Sequence, residues 1–135
     1  MSGQYGLMVD YYLGVYAINF MIDVPTQSNL TQQDLINLTA GNNATYFVRN
    51  KDNKVAYLAD GAGGLRIIDI ADPKALRQLG QFKTPAATTV TLSLDETIAF
   101  VGDRIDGLYV LDITYYSNIY QLNPKGGACW GVYKF

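Results

Sequence analysis

The sequence predicts an all-β fold of about three repeated units, each a four-stranded antiparallel sheet. Three observations predict it. The stretch "VAYLADGAGGLRIIDI" (55–70) returns without a gap as "IAFVGDRIDGLYVLDI" (98–113), at an offset of 43 residues. A weaker copy, "LMVDYYLGVYAINF" (7–20), aligns with residues 57–70 at an offset of 50. The segments within each copy are short, rich in Val, Ile, Leu, Tyr and Thr, and bounded by Gly, Asp, Asn and Pro. That is the composition of strands separated by turns. A repeat of about 40–50 residues with four strands per unit describes a β-propeller blade.

The units run approximately over 5–50, 51–93 and 94–135, within a single repeat domain spanning 1–135. In the middle unit, strands are predicted near 54–60, 64–70, 76–83 and 87–93. "GLRIIDI" is almost continuously apolar, as an inner strand covered on both faces should be. "ALRQL" (75–79) and "NIYQL" (118–122) occupy the third slot of the last two units, and "DLINL" (34–38) fits it in the first. The first unit carries nine extra residues ahead of that slot, around "DVPTQSN", which could hold a helical turn. Taken alone, "TQQDLINLTAG" (31–41) also reads as a helix capped by Thr31 and ended by Gly41. Its register with the other two copies favours a strand. "ATYFVRN" (44–50), "ATTVTLS" (87–93) and "WGVYKF" (130–135) form the fourth set.

Polar residues recur in columns. Asp10, Asp60 and Asp103 share one, Gly14, Gly64 and Gly107 a second, and Asn19, Asp69 and Asp112 a third. Gly61, Gly64 and Gly107 suit tight turns that need a positive φ. Asp60 and Asp103 can accept hydrogen bonds from turn N–H groups, while Asp69 and Asp112 can cap the turn after the inner strand. A column present in every unit marks architecture, because a single active site needs each residue only once. Asp10 and Gly14 carry the same structural expectation in the first unit.

Composition removes most chemistry. There is no histidine and one cysteine, Cys129, so zinc, haem and His-dependent nucleophilic sites are not expected, nor is an intrachain disulfide. The net charge of −2 and scattered Lys and Arg argue against nucleic acid. The apolar run Tyr11–Ile22 is too short to span a bilayer and lacks the features of a signal peptide, so no membrane insertion is expected. No P-loop or dinucleotide loop is present. Asp60, Asp103 and Asp106 could offer oxygens to calcium but lack EF-hand spacing. No cofactor or metal is expected.

The residues "VAYLADGAGGLRIIDIADP" (55–73) and "IAFVGDRIDGLYVLDI" resemble the LVIVD repeat family, and the first copy is a degenerate version. The resemblance implies a β-propeller, of a kind mostly exported or displayed at the cell surface, with no assigned chemistry. Three N-glycosylation sequons, at Asn29, Asn37 and Asn43, are compatible with a secretory route, although Asn and Thr are also common turn residues. The tyrosine doublets Tyr11–Tyr12 and Tyr115–Tyr116 fall at turns and are the candidate binding surface. The expected function is a non-catalytic binding or structural scaffold within a larger surface or assembly protein. The alternative is a propeller enzyme or a carbohydrate-binding domain with its site at the ring centre or top loops. Three blades make an incomplete ring, completed by a protein partner, by a second copy about a two-fold axis, or by further blades of a longer polypeptide. The sequence favours the last.

Overall fold

Eleven strands form three antiparallel sheets in the computed structural model, which describes residues 5–10, 14–19, 31–36, 44–72 and 75–123, with side chains from Tyr46 onward. β1 (Tyr5–Asp10), β2 (Gly14–Asn19) and β3 (Thr31–Ile36) make the first sheet. The second contains β4 (Ala44–Arg49), β5 (Val55–Asp60), β6 (Leu65–Asp69) and β7 (Arg77–Phe82), in that spatial order. β8 (Ala87–Leu92), β9 (Ile98–Asp103), β10 (Gly107–Asp112) and β11 (Tyr120–Gln121) make the third. There is no helix among the described residues. Thr31–Ile36 is a strand paired with β2, so tertiary register prevails over the local helix signal there. The segment around "DVPTQSN" lies outside the described residues.

Sequence offset and backbone register agree. Leu7 pairs with Ala17, Tyr57 with Ile67 and Phe100 with Val110, which are one pair of columns in three sheets. The irregularities repeat as well. A register shift falls between Ala17 and Ile18 and again between Ile67 and Ile68, while shifts at Ala44/Tyr46 and Ala87/Thr89 lie 43 residues apart. Bulges at fixed columns give each sheet the same bend.

The sheets are phased one strand earlier than the sequence units. The strand at 87–92 does not join the middle sheet as its fourth member; it pairs with β9 and opens the third sheet. The middle sheet instead begins with β4. A repeat period reveals which strands are equivalent but not which hairpin partner each one takes, which is why the sequence reading put 87–93 in the middle unit and the structure does not.

The second and third sheets pack face to face. Tyr57, Ala59, Leu65 and Ile67 from one meet Val90, Ala99, Val101, Tyr109 and Leu111 from the other in a single buried cluster. Tyr57 stacks edge-on against Tyr116 with centroids 6.3 Å apart, and Phe82 against Tyr109 at 6.0 Å. Each fully buried side chain of Leu or Ile size contributes about 1.5–3 kcal/mol relative to exposure. β4 and β5 both lie against β8, and β1 lies beside β4.

Candidate functional site: the aspartate–glycine turns

The polar columns converge on the turns that join paired strands. Between β5 and β6, Asp60 N–H donates to the Gly64 carbonyl at 2.9 Å and Gly63 N–H to the Asp60 carbonyl at 2.8 Å. Gly61 and Gly64 have φ of 51° and 74°, and Gly107 in the next sheet has 89°. These are left-handed positions where a Cβ is disfavoured. At Gly64 a Cβ would also collide with the Phe82 carbonyl oxygen and lie 2.5 Å from Thr84 N.

Asp103 is fully buried and its carboxylate serves two loops at once. Oδ1 accepts from Ile105 N–H and Asp106 N–H, both at 2.8 Å, which holds its own turn. Oδ2 accepts from Ala86 N–H at 2.8 Å, just ahead of β8. Burial alone would raise its pKa, but the hydrogen bonds from the Asp106, Ala86 and Ile105 N–H groups outweigh that and hold it below the ordinary carboxylate value. Gly61 and Ala87 exchange two backbone hydrogen bonds, of 3.0 and 2.9 Å, and so tie the second sheet's turn to the same point.

Asp60, in the same column, is also fully buried but takes a different partner. Its Oδ2 accepts from Arg66 Nε at 2.7 Å, and Arg66 Nη1 donates to Gln78 Oε1 at 2.9 Å. Arg66 was not singled out by sequence reasoning, although a cation inside "GLRIIDI" signals a buried counter-charge. The Arg66 column holds Tyr109 in the third sheet, whose hydroxyl donates to Asp106 Oδ2 at 2.5 Å. Burial first, and then that carboxylate, push the Tyr109 pKa up.

At the opposite end of the inner strand, Asp69 and Asp112 act alike. Each Oδ1 accepts from the N–H two residues on, Ala71 at 3.0 Å and Thr114 at 2.9 Å. Each Oδ2 holds the neighbouring strand, through Arg77 Nε at 3.1 Å or the Tyr120 hydroxyl at 3.0 Å. Arg77 and Tyr120 are themselves 43 residues apart. The bonds from Thr114, then Tyr120, lower the Asp112 pKa.

Other sequence candidates separate. Tyr115 is 70% exposed, whereas Tyr116 packs into the seam and its hydroxyl shares a 3.0 Å hydrogen bond with that of Tyr57. The doublet therefore does not form one patch. Tyr11, Tyr12, Asn29, Asn37 and Asn43 lie outside the described residues, as do the side chains of Asp10 and Gly14's turn. Asp10 and Gly14 face each other across the β1–β2 pair. Gly80 went unremarked in the sequence: a Cβ there would strike the Tyr116 carbonyl oxygen. A cavity of about 260 Å³ opens between the ends of β4 and β8, lined in part by Arg49, Lys51, Ser93 and Glu96. Among the described residues, no three His, Cys, Asp or Glu side chains are grouped to hold a metal ion. No helix there is long and apolar enough to cross a membrane.

The same columns decide the relationship. The model of the LVIVD repeat matches residues 53–84 and 88–126, more than half of the chain. The chain belongs to the LVIVD repeat family. Among the described residues, its two matched LVIVD repeats contain both buried aspartates, all three positive-φ glycines and both turn-capping aspartates. Comparison with curated proteins gives no match. The LVIVD motif thus coincides with the hydrogen-bonded frame of each repeat, and the Asp–Arg and Asp–Tyr substitutions at column 66/109 are variations within that frame.

Proposed function

We propose that the chain is a segment of an LVIVD β-propeller that acts as a non-catalytic binding or structural scaffold, displayed at the cell surface. A protein partner or self-association completes its ring. One observation carries this reading: the carboxylates that stand out in sequence recur in both described repeats and are engaged in the protein's own turns. Asp103, Asp69 and Asp112 hold backbone N–H groups, and Asp60 holds a buried guanidinium. Catalytic acids and bases have to face a substrate, and these face the fold. The absence of histidine supports the same reading.

The test is a panel of hydrolase and lyase substrates applied to the parent chain and to folded Asp60→Asn and Asp103→Asn. No turnover that depends on either carboxylate is expected. Turnover present in the parent and lost in a folded variant would overturn the scaffold reading in favour of a propeller enzyme.

A further inference from the structure

The two complete sheets differ in how their equivalent faces are covered. In the second sheet, Tyr57, Leu65 and Ile67 are 1%, 0% and 0% exposed because the third sheet lies on them. Their counterparts 43 residues on are Phe100, Leu108 and Val110, and all three are partly exposed. Phe100 pairs directly with Val110, and Leu108 with Gly102, so these side chains share one face. The opposite face of the same sheet, through Ala99, Val101 and Leu111, is fully buried. The third sheet therefore offers solvent the apolar columns that its neighbour buries.

We propose that this face seats the first sheet of a second copy of the chain. The proposal rests on the scaffold reading and deepens it by naming the contact. Within the chain, packing is unlike to unlike: columns 57, 65 and 67 of one sheet meet columns 99, 101 and 111 of the next. A sheet docking on Phe100 must supply that second set of columns. In the second sheet the corresponding Ala56, Leu58 and Ile68 are already buried, as they are in the third. By backbone register, the first sheet carries Gly6, Met8 and Ile18 in those columns, and Tyr16 where Tyr109 stands. In a solution of this chain alone, another copy is the source of such a sheet. Two copies can satisfy two identical seats about a two-fold axis, which closes the contact.

Sedimentation equilibrium of the 135-residue chain tests this, with Phe100→Lys, and Leu108→Lys as its second, on one side of the seat and Met8→Lys on the other. The parent should sediment as a dimer. A folded Phe100→Lys or Leu108→Lys should dissociate, with the dissociation constant raised at least about 30-fold. Met8→Lys should also be monomeric, and mixing it with Phe100→Lys should restore dimers, because one seat is then intact. A folded, concentration-independent parent monomer overturns the proposal. So does a dimer that survives Phe100→Lys, or one indifferent to Met8→Lys, which would indicate a contact between like faces. A monomer without carboxylate-dependent turnover defeats this contact while leaving the scaffold reading in place; such turnover defeats the scaffold reading itself.

Discussion

The second and third sheets are built on one pattern and live in different surroundings. Strand β5 is buried along nearly its whole length, from Ala56 to Asp60, and β6 from Leu65 to Ile68. Strand β10 alternates instead, with Gly107, Tyr109 and Leu111 buried and Leu108, Val110 and Asp112 partly exposed. A sheet sandwiched between neighbours and a sheet covered on one side produce these two patterns. The Asp turns differ in a parallel way: Asp60 holds a guanidinium, Asp103 holds main-chain N–H groups. Backbone geometry is retained between repeats while the side-chain partner changes. The comparison teaches that the column specifies a buried carboxylate beside left-handed glycine, and leaves the means of neutralising it to each repeat.

The sharpest way to break the equivalence is at the glycines. Gly64→Val combines a φ of 74° with backbone collisions and should cost more than about 3 kcal/mol, whereas Gly107→Val, with a φ of 89°, should cost more than about 1 kcal/mol. Urea midpoints measure both, and parent-like midpoints would contradict the turn geometry. Next is the buried pair. Asp60→Ala removes the carboxylate that neutralises the buried Arg66 guanidinium and should cost about 3 kcal/mol, while removing both side chains should cost less than the sum of the single losses. Strict additivity in the double-mutant cycle would deny the coupling.

The third effect is pH dependence. The Asp103 and Asp112 carboxyls titrate below their unfolded value of about 3.9, so the folded state binds fewer protons than the unfolded state around that pH. Their contribution is present above about pH 4 and is lost as pH falls through the lowered folded values. Tyr57, raised by burial and then Tyr116, and Tyr109 act oppositely: their contribution holds below about pH 10 and fades above it. Urea midpoints from pH 2 to 11 should fall at both ends, and Asp103→Asn should flatten the acid limb. The smallest effect is Tyr116→Phe, which removes one hydroxyl pair at the seam and should cost about 1 kcal/mol in the same assay.

Much of this frame was legible in the sequence because short apolar strands bounded by Asp–Gly turns leave local signatures that recur at a fixed offset. The offset of 43 residues anticipated the cross-strand register of the second and third sheets. A strand was also expected in the third slot of the first unit against its own helical pattern, but the match of 34–38 to 75–79 does not hold: pairing with β2 puts Thr31–Ile36 in the columns of Arg77–Phe82. What was not legible depends on contacts between units. Nothing local says that 87–92 pairs forward with β9, that Gly80 must admit the Tyr116 carbonyl, or that Tyr116 turns inward while Tyr115 remains exposed. Arg66 was passed over within an apolar strand, and its partner depends on a turn: Asp60, six residues earlier, comes within reach only once β5 and β6 pair.

The central claim is that the repeated aspartates fasten the fold, and Asp103 is where it is most exposed to test. Equilibrium urea unfolding of Asp103→Ala at pH 7 measures it directly. The loss of an acceptor for three N–H groups, the buried one of Ala86 at the entry to β8 among them, should lower stability by about 2–4 kcal/mol at an unchanged denaturant slope. An Asp103→Ala chain with the parent's midpoint would contradict the account, because a carboxylate that stability does not need would be free to serve a ligand.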